Sequence, residues 1–269
     1  VNRIEQIFAD LRSQNKRALM PFVCGGHPKP DSLRTLLPAL EAAGASIVEI
    51  GIPFSDPIAD GPIIAAAMHE AIAQGVTPRS VFEDVASIRA NTAQPVNLGL
   101  IAMCSVSIVH RMGGSNGFAQ AAKQAGFDGL IIPDAPLEES RSILEAAAKH
   151  ELTATLLISP TTPLRRAEEI VKASTGFVYL VARSGITGER TDAPEIGSRV
   201  NKLRELSSLP IAVGFGVSTA DHVRAVVRDA DAAIVGSALV RRISVAHVEG
   251  RDAVAEATAF CRELATGLA

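Results

Sequence analysis

Eight short apolar runs rich in β-branched residues recur along the chain of 269 residues, and helical stretches lie between them. No other feature limits the fold as tightly. The runs are ALMPFVC (Ala18 to Cys24), SIVEIG (Ser46 to Gly51), PVNLGLI (Pro95 to Ile101), DGLIIP (Asp128 to Pro133), TATLLIS (Thr153 to Ser159), GFVYLVA (Gly176 to Ala182), PIAVGFG (Pro210 to Gly216) and DAAIVGS (Asp231 to Ser237). Strands joined through helices are the pattern of βα units and a parallel sheet. An open doubly wound sheet usually stops at five or six strands, so eight in a chain of this length predict an α/β protein of the (β/α)8 TIM barrel class.

The stretches between the runs have the matching periodicity. DSLRTLLPALEAAG sets Leu33, Leu36, Leu37 and Leu40 on one helical face, with Asp31 as the expected N-cap. STADHVRAVV carries Ser218 and Asp221 at capping-box spacing ahead of Val223, Val226 and Val227. An extra helix is expected over Arg3 to Gln14, before the first strand, and a last one from Arg251 onward. With no internal repeat beyond the βα period and no linker-like tract, residues 1–269 read as a single barrel domain.

Composition narrows the function. A formal charge of -3 with scattered Lys and Arg supplies no basic field for nucleic acid or an acidic membrane surface. No run of 18 apolar residues offers a membrane span, and VNRIEQIFADL does not build a signal-peptide core. Cys24, Cys104 and Cys261 lack C-x-x-C spacing, which argues against a disulfide framework or a zinc site and for a reducing, cytoplasmic setting. A plastid stroma would serve equally for a processed plant chain.

Barrels of this class work at the C-terminal ends of their strands, and commonly hold phosphate with the loops after strands seven and eight. VGFGVS and VGSALV place Gly214, Gly216 and Gly236 at those two ends, and RSGITG follows the sixth run. Glycine lets backbone N–H groups approach an anion, and a helix starting at Ser237 would aim its free donors at one. Tight strand-to-helix turns alone would also account for such glycines.

The second run interrupts its apolar sequence with Glu49, and Asp60 follows in a loop punctuated by Pro53, Pro57, Gly61 and Pro62. Alternation sets Ile47, Glu49 and Gly51 on one face, with Val48 and Ile50 on the other. If the latter pair packs on the helices, Glu49 points into the barrel mouth, where desolvation raises its pKa toward neutrality and suits it to acid/base work. Asp60 is expected in wetter surroundings and ionised, giving two carboxylates with separate roles. A structural Glu49 and an Asp60 that caps the following helix are the competing readings. Asp56 could serve as a third site acid, but reads first as a solvated loop residue or a partner contact.

Two motifs are set aside. GGSNG (Gly113 to Gly117) matches the G-x-S-x-G elbow but lacks the strand that must precede it, and reads as a turn before the helix FAQAAKQAG. His27, His69, His110, His150, His222 and His247 form no H-x-x-x-H pair, so no metal site is expected.

EIGIPFSDPIADGP resembles the signature of the tryptophan synthase alpha chain family, and the likeness extends over essentially the whole sequence through PFVCGGHP, GLIIPDAP, GFVYLVARSGITG, VGFGVS and VGSALV. The resemblance implies a (β/α)8 lyase that cleaves indole-3-glycerol phosphate to indole and glyceraldehyde 3-phosphate. It implies no cofactor in this chain, and a partner beta chain that carries pyridoxal phosphate in an alpha2beta2 complex. Glu49 then corresponds to the acid/base that protonates the indole C3 carbon, and Asp60 to the acid at the indole nitrogen. Gly188, Gly216, Gly236 and Ser237 match phosphate positions, while Phe22, Leu100, Tyr179 and Phe215 match or neighbour the indole pocket. Thr187 falls in a closing loop.

The chain departs from the family pattern after the third run, where Met103 and Ser105 stand in place of a usual Tyr and Asn, and at Cys24 and His27, where Thr and Asp are more usual. Met103 can fill an apolar ring slot but brings no hydroxyl. Three other functions remain open on the sequence. They are a stand-alone lyase that frees indole, a non-catalytic regulatory barrel, and a phosphosugar isomerase sharing only the phosphate loops.

Overall fold

The computed structural model describes residues 1–57, 60–182, 196–214 and 216–269. After α1 (Arg3–Ser13) come β1 (Ala18–Cys24), α2 (Leu33–Ala42) and β2 (Ile47–Gly51). Two helices, α3 (Pro62–Ala73) and α4 (Pro78–Ala90), lead to β3 (Gly99–Met103), and two more, α5 (Val106–Arg111) and α6 (Gly114–Ala125), lead to β4 (Gly129–Ile131). Then follow α7 (Arg141–Lys149), β5 (Thr153–Ala154), β6 (Leu157–Ile158), α8 (Leu164–Ala173), β7 (Val178–Val181), α9 (Gly197–Leu206), β8 (Ile211–Gly214) and α10 (Ala220–Val227). The described chain closes with β9 (Ala232–Val235), α11 (Ser237–Val248), α12 (Ala253–Ala265) and a short 3-10 turn (Thr266–Leu268).

Every strand pair is parallel, in the order β5-β4-β3-β2-β1-β9-β8-β7-β6. The two outermost strands, β5 and β6, are halves of the single fifth run, so the ring closes through Thr155 and Leu156. The run divides because side chains take over its ladder. Thr175 Oγ1 accepts from Ala154 N at 2.8 Å, and Ser174 Oγ accepts from Leu156 N at 3.2 Å. The result is the expected TIM barrel, with the extra helix at its N-terminal end.

The barrel interior and the layer between sheet and helices are separate apolar clusters. Ala18, Met20, Ile47, Ile101, Ile131, Phe177, Tyr179, Ala212, Ala232 and Ile234 fill the interior, and Ile4 and Phe8 of α1 join them. The bottom is closed by close approach: a Cβ on Gly99 would lie 3.2 Å from Ile4 Cγ1, and one on Gly129 would lie 2.8 Å from Ile4 Cδ1. Val48, Ile50, Leu100, Ala102 and Leu130 face outward onto the helices. Arg89 clamps the entries of β3 and β4, donating to Val96 O (2.8 Å), Leu98 O (2.9 Å), Gly126 O (3.0 Å) and Asp128 Oδ2 (2.6 Å).

Several local expectations change. The third strand runs from Gly99 to Met103, since Val96 and Leu98 spend their carbonyls on Arg89. Ser32, not Asp31, stands at the N-cap of α2, and its hydroxyl accepts from Lys29 N instead of capping. Thr219 caps α10 by accepting from His222 N. The last long helix begins after Asp252, whose carboxylate accepts from Val254 N and Ala255 N. Gly114 to Gly117 belong to α6, and α5, not a strand, precedes them, so the G-x-S-x-G match is no nucleophile elbow.

Candidate active site

β2 carries Glu49 in register with Phe22 of β1 and Ile101 of β3. Ile47 belongs to the interior cluster and Val48 with Ile50 to the outer one, so the pleat turns Glu49 inward. The side chain is 1% exposed, and among the described residues its Oε1 has no hydrogen-bond partner. Burial pushes its carboxyl from the ordinary 4.5 up to about 8. A Glu retained for structure would have both oxygens engaged, because an unpaired buried polar atom costs free energy. Oε1 is instead free to meet a ligand.

Asp60 lies in the loop between β2 and α3 and is half-buried. Its backbone N–H donates to Pro57 O at 3.0 Å, and Gly61, without a side-chain cap, holds the N-cap position of α3. The helix-capping reading of Asp60 therefore fails. The expected wet environment is corrected too. Burial, and then the nearby charge of Asp134, push its carboxyl from 3.8 up to about 6. At neutral pH it remains mostly ionised while Glu49 remains mostly protonated. The two acids thus hold opposite states in one site.

Tyr179 of β7 links them. Its phenol is pushed well above the ordinary range by burial and then by the charges of Glu49 and Asp60. The hydroxyl rests over Gly214 of β8, where an added Cβ would lie 2.6 Å from Oη. Phe22 is buried, and its ring occupies the space a side chain on Gly51 would need. A cleft is lined by Ile52, Phe54, Asp60, Met68, Met103, Cys104, Ser105 and Asp134, and by Asp56 and Pro57 of the loop after β2. Met103 and Asp60 therefore face one space, apolar on one side and acidic on the other.

Leu100 departs from expectation. It is wholly buried in the outer layer against the helices, while Ile101 joins the interior cluster beside Ile47 and the inward-facing Met103. One position of phase separates them, and both are apolar. Asp134 was also missed, although an acid in the Pro-Asp-Ala-Pro turn just beyond β4 marks a strand end of the kind that carries function. Ser105 Oγ donates to Asp134 Oδ2 at 2.7 Å, and Val106 N donates to Asp134 Oδ1 at 2.9 Å.

On the opposite side, Gly236 is the N-cap of α11 and Ser237 its first residue, nearly buried. The leading N–H groups of a helix lack acceptors one turn back and suit an anion, although here Leu239 N already donates to Gly236 O at 2.9 Å. A Cβ on Gly236 would still clear Phe22 by 3.7 Å and Ile64 by 3.8 Å. Gly216 has φ +84°, a left-handed conformation that glycine adopts without strain. Thr187, Gly188 and Phe215 lie outside the described residues.

The other reactive side chains are quiet. Burial and the neighbouring Asp60 and Glu70 push the Cys24 thiol far up, and burial with Asp134 does the same for Cys104, so neither is a thiolate nucleophile. His27 is buried, with Nε2 2.9 Å from Ser244 Oγ and Nδ1 3.3 Å from Glu70 Oε2. Burial and then His247 push it down to about 4, so it fastens the loop after β1 to α11 as a neutral ring through Nε2. Among the described residues no group of three or more His, Cys, Asp or Glu could hold a metal ion, and no helix is long and apolar enough to cross a membrane.

Comparison with known proteins agrees with this arrangement. Residues 8–269 match the family model described as tryptophan synthase alpha chain. The tryptophan synthase alpha chain of Chloroflexus aggregans is 44% identical over 265 residues, covering 98% of this chain and 97% of that one. Its counterpart from Prochlorococcus marinus strain NATL1A is 40% identical over 263 residues, covering 97% and 96%. Among solved structures, tryptophan synthase subunit alpha from Legionella pneumophila superposes with a TM-score of 0.90 at 31% identity, covering 100% of this chain and 98% of that one. A chain of Mycobacterium tuberculosis tryptophan synthase in its aminoacrylate-bound form gives 0.86 at 29% identity, covering all of both. A parallel barrel with a buried acid on its second strand, matched in sequence and shape over nearly its full length, belongs to the tryptophan synthase alpha chain family.

Proposed function

We propose that this chain cleaves indole-3-glycerol phosphate to indole and glyceraldehyde 3-phosphate, with Glu49 as general acid/base and Asp60 as the acid at the indole nitrogen. The observation that carries the reading is the buried, unpartnered Oε1 of Glu49, protonated at neutral pH, in the same site as a mostly ionised Asp60. Indole is a poor carbanion leaving group, so its C3 must first gain a proton. Glu49 donates that proton, and Asp60 stabilises the positive charge that develops at the ring nitrogen. Removal of the proton from the adjacent glycerol hydroxyl then breaks the carbon–carbon bond. The electron pair returns to the ring, which leaves as neutral indole, and the hydroxyl carbon becomes the aldehyde. With that proton taken by Glu49, the acid is regenerated.

Phe22, Tyr179, Met103 and Phe215 would enclose the indole ring, with Ile101 in the role first expected of Leu100. Gly188, Gly216, Gly236 and Ser237 would hold the phosphate, helped by the N-terminus of α11. Thr187 would belong to a loop that closes over the substrate. The chain would need no cofactor of its own and would work in the cytoplasm. It would pass indole to a tryptophan synthase beta chain, carrying pyridoxal phosphate, in an alpha2beta2 complex. The solved relatives described as tryptophan synthase support such a partner.

Indole release from indole-3-glycerol phosphate, measured with and without an added beta chain, tests the reading. Release that rises with the beta chain is expected. Release that the beta chain leaves unchanged would indicate a stand-alone lyase, and no indole under either condition would refute the assignment.

A further inference from the structure

The carboxylate opposite Asp60 has no part in the chemistry described so far. Asp134 sits in the turn after β4, and both of its oxygens are committed: Oδ2 accepts from Ser105 Oγ at 2.7 Å and Oδ1 from Val106 N at 2.9 Å. Both donors come from the loop after β3, so the acid is tied across two adjacent strand ends and cannot swing away. It lines the same cleft as Asp60, together with Met68, Met103, Cys104 and Pro133.

We propose that Asp134 is a positioning residue for the lyase reaction, holding a fixed negative charge across the cleft from Asp60 so that Asp60 binds the proton of the indole nitrogen more firmly. The inference rests on the role given to Asp60 above. A like charge held nearby in a partly desolvated site disfavours the ionised form of its neighbour, and a base works best with its pKa near the working pH.

The other groups facing Asp60 do not substitute for it. Asp56, in the same loop, is exposed, so solvent and salt screen its charge. The thiols of Cys24 from β1 and Cys104 from the end of β3, and the phenol of Tyr179 from β7, all have their proton affinities raised and are neutral. Glu49, from β2, is protonated over most of the working range. Among the described residues, Asp134 is the charged neighbour whose field acts on Asp60, second only to burial in raising its proton affinity.

Asp134→Asn keeps an oxygen to accept from Val106 N but removes the charge, while Asp134→Glu keeps the charge. The acidic limb of kcat/KM against pH, and the titration of the Asp60 side-chain carboxyl followed by 13C NMR and assigned with Asp60→Asn, would be measured in both variants and the parent chain. The Asn variant is expected to move both readouts to lower pH by about half a unit to one unit, with the Glu variant close to the parent. An Asn variant that titrates like the parent, or equal shifts in both variants, would overturn the proposal. The NMR titration needs no turnover. A chain that releases no indole would therefore refute the assigned reaction while leaving the coupling between Asp60 and Asp134 still measurable.

Discussion

Replacing Glu49 with Gln should make the protein more stable, and increasingly so as the pH rises. The native carboxyl holds its proton up to about pH 8, against 4.5 for an ordinary Glu. Between those values the native state binds a proton that the unfolded chain has released. The stability this provides is complete below the unfolded value and is lost as pH climbs through the native one. Each unit of separation is worth about 1.4 kcal/mol, so the parent loses about 5 kcal/mol over the whole window, about 4 kcal/mol of it between pH 5 and pH 9. Gln has nearly the same shape as protonated Glu and has no proton to lose. The variant should therefore match the parent near pH 5 and exceed it by on the order of 4 kcal/mol near pH 9. For a chain of this size that is a gap of about 8 °C in Tm, at roughly 2 °C per kcal/mol. Thermal unfolding of both proteins at several pH values between these limits would show it. Parallel Tm curves, or a parent that gains on the variant as pH rises, would refute the burial argument.

Three further outcomes follow from the same geometry. The pH profile of kcat/KM should be bell-shaped, falling below about 6 as Asp60 gains a proton and above about 8 as Glu49 loses one, which steady-state assays across pH would reveal. Gly214→Ala would put a methyl 2.6 Å from Tyr179 Oη, so the phenol must shift; urea unfolding should show a loss of about 1–3 kcal/mol, together with a lower kcat/KM. Arg89→Met should cost about 3 kcal/mol or more by the same measure, because it takes the nearest cation from Asp128, leaving it Arg3 and Leu100 N, and removes a donor from three backbone carbonyls at the entries of β3 and β4.

The βα order was legible because eight apolar runs and their helical partners recur with a regular period. Glu49 was legible because an acid inside such a run has few places to go. Leu100, expected at or next to the pocket, proves to be one position out of phase because β3 is apolar on both faces: Leu98, Leu100 and Ala102 face the helices, while Gly99, Ile101 and Met103 face the interior. Nothing in the string GLIAM distinguishes the two phases. Asp31 and Ser218 each precede a hydroxyl residue that takes the N-cap position, and capping chemistry alone does not separate such neighbours. The break in the fifth strand depends on Ser174 and Thr175, some twenty residues downstream, which supply side-chain oxygens where a backbone ladder was expected. The partial burial of Asp60 likewise arises from walls contributed by β3, β4 and α3, so its own loop of prolines and glycine suggested more solvent than the fold allows.

The central claim is that a protonated Glu49 delivers the proton that releases indole. A single-turnover assay of indole formation at neutral pH, comparing the parent chain with Glu49→Gln under saturating indole-3-glycerol phosphate, tests it most directly. The variant should bind the substrate with near-parent affinity and form indole at least about 100-fold more slowly, as expected on removing a general acid. Indole formation within a few-fold of the parent rate would contradict the account.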